Sequence, residues 1–251
     1  MNHELEHNIG TDHHSTIKTI SVVICAYNEE ATVLKVCEKV LKLPFVTELV
    51  CVNNGSTDKT GSLLTALSLN DSRVKVIEIE KNKGLGVGLI AGIQATNGDI
   101  VVRQDADLEY DPNEIEEVIY PLLKGVGHVS YGSRLLVRKT HRANYFYNYL
   151  ANIFFTTLSN IFTNINLTDV ETASKAFEGN LIRRIPFTSK GFEIEIEMLF
   201  KLRKEGAVFY EVPVSYYGRR IEEGKKIRFI DAIHTLWAIL KYGFGFRLLR
   251  F

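Results

Sequence analysis

The chain has 251 residues, of which 45% are hydrophobic and 24% charged, and its formal net charge is zero. This length predicts one large domain, or one domain with a small appendage, of ordinary globular composition. Zero net charge gives no argument for nucleic acid as a partner. The three cysteines, Cys25, Cys37 and Cys51, form no C-x-x-C pair, so we expect free thiols and a reducing cytosol.

The first 16 residues are polar and include four of the seven histidines. We expect a disordered tail over residues 1–16, with a metal-binding histidine tract as the alternative. The sequence shows no secretory signal and no uninterrupted run of about 18 apolar residues, so no transmembrane helix is predicted.

Strand-like and helix-like patterns alternate through the first half of the chain. The predicted strands cover residues 20–26, 48–52, 73–79 and 99–104, and the predicted helices cover residues 29–43, 58–69 and 86–96. This order predicts an α/β fold with a Rossmann-like, mostly parallel central sheet and helices on both faces. Polar clusters follow the strands at residues 27–30, 53–58, 82–84 and 105–109. Ligands of such sheets bind beyond the carboxyl ends of the strands, so we expect these clusters to converge on one crevice.

The second half of the chain has a different pattern. We predict helices over residues 111–124, 145–162, 191–205 and 229–242, and strands over residues 128–134 and 207–217. A basic loop, residues 218–228, precedes the final helix. Because no linker separates two large segments, we expect residues 17–251 to form one domain.

Asp105-Ala106-Asp107 directly follows the fourth predicted strand. Two carboxylates one residue apart suit a divalent metal that holds a diphosphate, since Mg²⁺ and Mn²⁺ take oxygen ligands and share them with phosphates. An isolated triplet of this kind is also typical of a solvated surface turn. Glu109 is either a third ligand or a turn acid.

Gly84-Leu-Gly-Val-Gly88 begins the third predicted helix. Leu89 occupies the third glycine position of G-x-G-x-x-G, and the motif follows the third strand, which argues against a nicotinamide or flavin site. Two interpretations stay open: the glycines allow close helix packing, or they let the backbone approach a nucleotide. No G-x-x-x-x-G-K-[ST] motif occurs, which argues against a P-loop NTPase.

Taken together, five segments resemble glycosyltransferase family 2 of the GT-A fold. They are residues 22–29 (VVICAYNE), 52–58 (VNNGSTD), 82–84 (NKG), 98–101 (GDIV) and 105–107 (DAD). One departure is visible: the family commonly has an acid pair before Gly-Ser, where this chain has Asn53-Asn54.

Segments of the second half resemble the dolichyl-phosphate mannosyltransferase and glucosyltransferase branch, in its bacterial form without transmembrane helices. They are residues 167–177, 191–193, 211–216 and 218–227. The resemblance implies an inverting, metal-dependent hexosyltransferase, with Mg²⁺ or Mn²⁺ as cofactor. It moves one sugar from a nucleotide-sugar of the GDP-mannose or UDP-glucose type to a polyprenyl phosphate, as a peripheral protein at the cytoplasmic membrane face.

The resemblance also implies site residues. Asp105 and Asp107 hold the metal, and Asp169, Arg134 and Arg219 are catalytic. The nucleotide-sugar pocket is lined by Ala26, Tyr27, Asn28, Glu29, Asn54, Asp58, Lys83, Gly84, Asp105 and Ala106. The acceptor phosphate is bound by Lys175, Arg219, Lys225 and Lys226, on a loop for which Gly218 and Gly224 provide a hinge.

Two of these roles have alternatives. Asp58 also suits a helix cap. Asp169 stands where the family places its candidate base, but a phosphate monoester with a second pKa near about 6 is mostly dianionic at neutral pH. Asp169 is therefore either a base or a group that orients Lys175 or an arginine.

Residues 140–165 and 229–251 mix aromatic side chains with Lys and Arg. This pattern suits a membrane interface, and the alternative is packing against the core or a second copy of the chain. Three rival functions remain: transfer to a hydroxyl acceptor, a non-catalytic nucleotide-sugar-binding protein, and a nucleotidyltransferase. The last would need a glycine- and lysine-rich loop after the first strand, which is absent.

Overall fold

The structure is a computed structural model that describes residues 18–136, 139, 142–143, 145–219 and 229–247. The predicted N-terminal tail and the predicted phosphate ligands Lys225 and Lys226 lie outside these residues.

The described residues form one sheet of seven strands with helices on both faces. The strands are β1 (Ile20–Ala26), β2 (Val46–Asn54), β3 (Val74–Ile79), β4 (Ile100–Asp105), β5 (Val129–Ser133), β6 (Lys175–Glu178) and β7 (Phe209–Pro213). The helices are α1 (Val33–Leu41), α2 (Thr60–Asn70), α3 (Leu85–Gln94), α4 (Ile115–Leu123), α5 (Phe146–Thr163), α6 (Gly179–Arg184), α7 (Ile194–Lys204) and α8 (Phe229–Arg247). A 3₁₀ turn, Pro112–Glu114, leads into α4.

The strand order is β3-β2-β1-β4-β6-β5-β7. All neighbouring strands run parallel except β6, which is antiparallel to both β4 and β5. The predicted α/β fold with a mostly parallel sheet is therefore confirmed. Strand β6 and helix α6 were not predicted, because β6 has only four residues and too few alternations to produce a strand pattern.

Each face of the sheet carries its own hydrophobic core. Val22, Ile24 and Leu49 face one core together with residues of α1 and α4. Val23, Val50 and Val101 face the other, together with residues of α3 and α7. Neighbouring residues of each strand thus alternate between two buried faces, which explains the continuous apolar runs in β1 and β2.

The first predicted helix begins later than expected. Residues 27–32 form a turn in which Asn28 has φ of +52° and the Glu29 carbonyl accepts the N–H groups of Thr32 and Val33. The helix starts only at Val33, so the polar side chains after β1 lie on a turn at the sheet edge. The last strand is shorter than predicted, at Phe209–Pro213, and the final helix is longer, reaching Arg247.

Candidate active site

The loops after β1, β2 and β3 meet at the carboxyl edge of the sheet and form one wall of a crevice. The N–H of Asn28 donates to Ser56 Oγ at 3.1 Å, and Asn28 Oδ1 accepts from the N–H of Thr57 at 2.8 Å. Asn54 Nδ2 donates to the carbonyl of Gly84 at 3.1 Å. The structure therefore brings these predicted pocket residues together, as the strand order leads one to expect.

The predicted pocket residues offer different groups to this crevice. Ala26 and Ala106 are buried, so they contribute backbone and shape. Tyr27 is half-buried and Lys83 is exposed. Asn54 has a buried Oδ1 that accepts no hydrogen bond from the described residues. A buried acceptor without a partner is costly, so this atom suits a donor group of a ligand.

The glycines of the 84–88 motif pack closely against other segments. A Cβ on Gly84 would lie 2.3 Å from the carbonyl oxygen of Lys190, and one on Gly88 would lie 2.4 Å from Cys25 Sγ. Gly84 also has φ of +104°, a conformation that favours glycine. The N–H of Gly86 donates to the Lys190 carbonyl at 2.8 Å. Close packing thus accounts for the glycines without a nucleotide contact.

Asp58 lies one residue before Lys59, the N-cap of α2, and its side chain binds the start of that helix. Its Oδ1 accepts from the N–H of Thr60, the first residue of α2, at 2.9 Å, and its Oδ2 accepts from the N–H of Glu30 at 3.1 Å. Burial raises the pKa of Asp58, but the hydrogen bonds from Thr60 and Glu30 outweigh that effect and lower it overall. Asp58 therefore ties the loop after β1 to the start of α2, and its role toward a nucleotide stays a prediction.

Arg219 occupies the centre of an acidic cluster formed by Glu29, Asp107 and Glu109. Its guanidinium donates to both carboxylate oxygens of Glu29 at 3.1 Å and to Asp107 Oδ2 at 2.6 Å. Its Nε lies 3.5 Å from Glu109, whose Oε1 also accepts from the Arg219 N–H at 2.7 Å. Three carboxylates from two loops are thus gathered around one cation, which links the segment after β7 to the carboxyl edge of β1 and β4.

The acidic cluster carries more negative charge than Arg219 balances. Burial and the charges of Asp105 and Glu109 raise the pKa of Asp107 to about 7, although Arg219 opposes this rise. Among the described residues, no three His, Cys, Asp or Glu side chains form a ready-made metal site. Asp105 and Asp107 nevertheless offer an oxygen-only donor set with unbalanced charge, which fits Mg²⁺ or Mn²⁺ bound partly through phosphates.

Arg134 and Asp169 form a buried ion pair beside the cluster. Arg134 Nε and Nη2 each donate to a different oxygen of Asp169 at 2.7 Å, and the Arg134 N–H donates to Oδ2 at 3.0 Å. Asn152 Nδ2 adds a bond to Oδ1 at 2.8 Å. Burial raises the pKa of Asp169, but the charge and hydrogen bonds of Arg134 and the amide of Asn152 lower it overall.

This geometry bears on the two roles left open for Asp169. The carboxylate is completely buried and both of its oxygens are already hydrogen-bonded. Glu211 also holds this segment in place, because its carboxylate accepts from the N–H groups of Thr168 and Asp169 at 2.9 and 3.2 Å. Each Asp169 oxygen already accepts two hydrogen bonds, which favours the orienting role, and the choice between the two roles stays a prediction.

A cleft of about 590 Å³ opens beside Arg134, between α5 and the segments after β5 and before β6. Its lining includes the basic residues Arg134 and Lys139 and apolar side chains such as Ile153 and Leu167. Lys139 is paired with Glu114 and Glu117, and Arg134 with Asp169. The cleft thus combines paired basic side chains with apolar ones.

Lys175 lies elsewhere than the expected phosphate-binding position. It is completely buried at the start of β6, where its Nζ pairs with Glu195 of α7 and donates to the Val170 carbonyl at 3.1 Å. Burial and the neighbouring Arg103 charge lower the pKa of Lys175 well below its ordinary value. The structure therefore does not bring Lys175 to the crevice with Arg134 and Arg219, because β6 turns its side chain under α7.

Helices α5 and α8 pack against each other and leave large apolar side chains in solvent. On α8, Ile230, Ile233, Trp237 and Phe244 are exposed, and the aromatic end of α5 is exposed too, with Tyr147 at 82%. Their exposure fits the predicted membrane-interface or oligomer role. Over the part of the chain that is described, no helix has the length and apolar character to cross a bilayer.

Several site residues were missed at the sequence level. Asn152, Glu211, Arg103 and Glu195 all contact or support predicted site residues. A signal existed for two of them: Arg103 and Glu211 are charged residues inside predicted buried strands, where a charge needs a partner. Nothing in the pattern of α5 or α7 distinguishes Asn152 or Glu195.

Comparison with known families gives a match over most of the sheet. The family model described as Glycosyl transferase family 2 matches residues 21–185. An undecaprenyl-phosphate 4-deoxy-4-formamido-L-arabinose transferase of Pseudomonas aeruginosa is 34% identical over 114 residues, which cover 43% of this chain and 34% of that protein. A protein of the same name from Pectobacterium atrosepticum is 35% identical over 41% of this chain and 33% of its own length. The matches thus span about a third of each relative.

Solved structures show the same fold. Glucosyl-3-phosphoglycerate synthase from Mycobacterium tuberculosis, in complex with Mn²⁺, UDP and phosphoglyceric acid, superposes with a TM-score of 0.69 at 23% identity, covering 90% of this chain and 78% of that one. The same enzyme with Mg²⁺ and UDP gives a TM-score of 0.68 at 24% identity, with 90% and 79% covered.

Proposed function

Because the chain belongs to glycosyl transferase family 2 and has the GT-A fold, we propose that it moves one hexose from a nucleotide-sugar to a polyprenyl phosphate, with inversion at the anomeric carbon. The observation that carries this proposal is the adjacency of two differently built halves. One half, which we call the donor half, is the acidic cluster around Arg219. The other, the acceptor half, is the Arg134–Asp169 pair beside a cleft lined by both polar and apolar side chains.

The donor half suits a nucleoside diphosphate held with a divalent metal. Asp105 and Asp107 would hold Mg²⁺ or Mn²⁺, which neutralises the charge that develops on the leaving diphosphate. The solved structures with Mn²⁺ or Mg²⁺ and UDP, which share this fold, support a metal of this kind. Asn54, with its buried free acceptor, and the loop after β1 would contact the nucleotide.

Arg219 would also balance the charge that develops on the leaving diphosphate. Its guanidinium lies between Glu29 and Asp107, so it is already placed at the edge of the donor half. A planar guanidinium suits two phosphate oxygens at once. Arg219 thus stabilises the leaving group in this proposal, and its removal affects transfer more than binding of the bare nucleotide.

The acceptor half suits a phosphate. Arg134 is held rigid by two charge-assisted bonds to Asp169, so its orientation is fixed before any ligand arrives. A phosphate nucleophile is already mostly dianionic at neutral pH, and it requires positioning more than deprotonation. The engaged carboxylate of Asp169 is consistent with that requirement.

The apolar part of the acceptor suits the cleft wall and the exposed surface of α5 and α8. The relatives named as undecaprenyl-phosphate transferases support a polyprenyl phosphate as acceptor. Trp237, Ile233 and the aromatic end of α5 would lie at the headgroup level of a membrane, on its cytoplasmic face. The alternative occupant of this surface is a second copy of the chain.

A hydroxyl acceptor is the second candidate function. The fold is shared with a glucosyl-3-phosphoglycerate synthase whose structure holds phosphoglyceric acid, a small anionic molecule. A hydroxyl nucleophile would need a general base, and the buried, fully bonded Asp169 argues against that requirement being met there.

The first test is calorimetric titration of the full chain with GDP-mannose, UDP-glucose and UDP-N-acetylglucosamine, with Mn²⁺ or Mg²⁺ and then with a chelator. We expect one donor to bind only when metal is present. Folded protein that binds none of them with either metal would contradict the proposed donor half.

The second test offers that donor, labelled in the sugar, together with either a polyprenyl phosphate or the matching polyprenol. We expect label to enter the organic phase only with the phosphate. Transfer to the alcohol alone would replace the proposal with the hydroxyl-acceptor function. Arg219→Ala is expected to reduce transfer far more than it reduces binding of UDP or GDP.

A further inference from the structure

A chain of four titratable residues, three of them buried, runs under the site. It consists of Lys175 at the start of β6, Glu195 on α7, and Arg103 and Asp105 on β4, and we call it the buried ion chain. Glu195 pairs with Lys175 through one oxygen and with Arg103 through the other. Arg103 Nη2 in turn lies 3.3 Å from Asp105 Oδ1.

The sheet register places these residues side by side. Arg103 of β4 is the direct antiparallel partner of Lys175 of β6, and Lys175 is the partner of Tyr131 of β5. The Nζ of Lys175 lies 4.4 Å from the centre of the Tyr131 ring. Directly paired residues of neighbouring strands face the same side of a sheet, so these three side chains form one transverse row beneath α7.

The buried ion chain touches both halves of the site. At one end Arg103 contacts Asp105, a proposed metal ligand. At the other end Lys175 Nζ donates to the carbonyl of Val170, the residue after Asp169. Lys175 and Glu195 are 0% and 3% exposed, so water does not screen the contacts between them, whereas the Asp105 side chain is 27% exposed. One lysine thereby holds both the Asp169 segment and, through Glu195 and Arg103, the side chain of Asp105.

We propose that Lys175 and Glu195 are positioning residues that fix Asp105 relative to Asp169, so that the donor and acceptor halves keep one spacing. The functional meaning of this inference rests on the proposed function. What it predicts physically is an energetic coupling between Lys175 and Asp105, which do not touch each other. A buried ion pair adds little net stability compared with apolar residues of the same size, and in some proteins it specifies one arrangement instead. Groups that orient a metal ligand typically change metal affinity about 10- to 100-fold when they are removed.

The deciding experiment is a double-mutant cycle in the unfolding equilibrium of the full chain, with Lys175→Met and Asp105→Asn. We expect the unfolding constant of the double variant to differ by more than about threefold from the value that the two single variants predict. Changes at independent sites agree with that value within a smaller factor. The control cycle pairs Lys175→Met with Asp99→Asn, which changes an aspartate just before the opposite end of β4. That control pair is expected to be additive.

Glu195→Gln replaces Lys175→Met in the same cycle if the lysine variant does not fold. It keeps the volume and one acceptor oxygen, removes the charge, and replaces the other acceptor oxygen with an NH2 donor. Additivity of the Lys175 or the Glu195 change with Asp105→Asn would overturn the proposal. Neither outcome depends on a donor, so the cycle decides the inference even if the proposed function fails.

A second measurement connects the coupling to the site. Mn²⁺ binding is followed by calorimetry in the presence of UDP and, separately, GDP. We expect Glu195→Gln to weaken Mn²⁺ binding about 10- to 100-fold. The control is Glu48→Gln, which changes a hydrogen-bonded carboxylate at the opposite edge of the sheet and should leave Mn²⁺ binding unchanged. Equal Mn²⁺ affinity in wild type and a folded Glu195→Gln variant would contradict the positioning role. Absence of Mn²⁺ binding by the wild type would count against the proposed function alone.

Discussion

The guanidinium of Arg134 lies over the ring of Tyr216, with its Cζ 5.0 Å from the ring centre. The hydroxyl of the same tyrosine donates to Glu109 Oε2 at 2.7 Å. One aromatic ring therefore separates the arginine of the acceptor half from the acidic cluster of the donor half. The Arg134 cation over the face of the Tyr216 ring and the Glu109 carboxylate bonded to its hydroxyl together fix the position of the ring.

Tyr216→Phe keeps the ring under Arg134 and removes the bond to Glu109. We expect the free energy of unfolding to fall by about 1.5 to 3 kcal/mol, the usual worth of a hydrogen bond to a charged group. Chemical denaturation measures this change. The exposed Tyr217→Phe is the matched control, and a loss of equal size in that variant would argue against a role for the Glu109 bond.

Asp107→Ala is expected to reduce metal-dependent transfer by more than about 100-fold while the chain stays folded. The reason is that Asp107 is one of only two carboxylates assigned to the metal, and it is also the closest partner of Arg219. Turnover at saturating Mn²⁺, measured alongside the melting temperature, provides the check. Asp99→Ala, just before the other end of the same strand, serves as control. A folded Asp107→Ala protein with normal turnover would disprove the metal assignment.

Asp169→Asn removes the charge opposite Arg134 and retains the shape. Breaking one side of a buried ion pair costs about 3 to 5 kcal/mol, so we expect a marked loss of stability and a lower kcat. The acid limb of the pH–rate profile should stay where it is, because it follows the acceptor phosphate near about pH 6 and not this carboxylate. If the acid limb disappears in the variant, Asp169 is a base after all.

We expect protonation of Glu197 to lower the free energy of unfolding at acidic pH. Burial raises the pKa of this carboxyl, but Lys201 and the N–H groups of Ser189 and Thr188 outweigh burial and lower the pKa to about 2. Since the folded pKa lies below the unfolded one, the stabilisation is present above about pH 4.5 and is lost as the pH falls toward about 2. It amounts to about 3 kcal/mol.

Unfolding of wild type and Glu197→Gln at several pH values measures this effect. The difference between the two proteins should be largest near neutral pH and should shrink as the pH falls from about 4.5 toward about 2. A difference that stays constant over that interval would show that the glutamate acts by packing and not by charge.

Trp237 provides an optical test of the surface formed by α5 and α8. It is the single tryptophan of the chain and is 61% exposed, so its emission should shift to shorter wavelength when the protein binds anionic vesicles. Ile233→Ser should weaken vesicle binding, whereas Leu69→Ser, which changes an exposed leucine on α2, should not. A shift that follows protein concentration without vesicles would instead indicate self-association.

The positions of Asp105 and Asp107 could be predicted from the sequence, and that of Lys175 could not. Asp105 ends β4 and Asp107 follows it, and the apolar start of that strand reveals it, so their place at the sheet edge follows from topology. Lys175 belongs to a strand of four residues whose direction depends on pairing with β4 and β5. Local pattern carries no information about that pairing, and therefore none about the burial of the lysine under α7.

The role of Asp169 was ambiguous for a related reason. Its chemistry depends on Arg134, 35 positions earlier, and on Asn152, which a helix of different pattern brings to it. A sequence shows which carboxylates exist, but the number of donors around each one is a tertiary property. The choice between a base and an orienting group therefore had to wait for the geometry.

The antiparallel direction of β6 has a consequence for how this chain tolerates change. Because β6 runs against its neighbours, the segment before it reaches the carboxyl edge, while helix α6 after it lies at the far edge. Residues inserted after β6 would therefore extend a loop on the side of the sheet away from the crevice. A single residue added between Asp169 and β6 would instead displace Asp169 from Arg134. Natural or engineered length variation should accordingly accumulate on the α6 side of this strand.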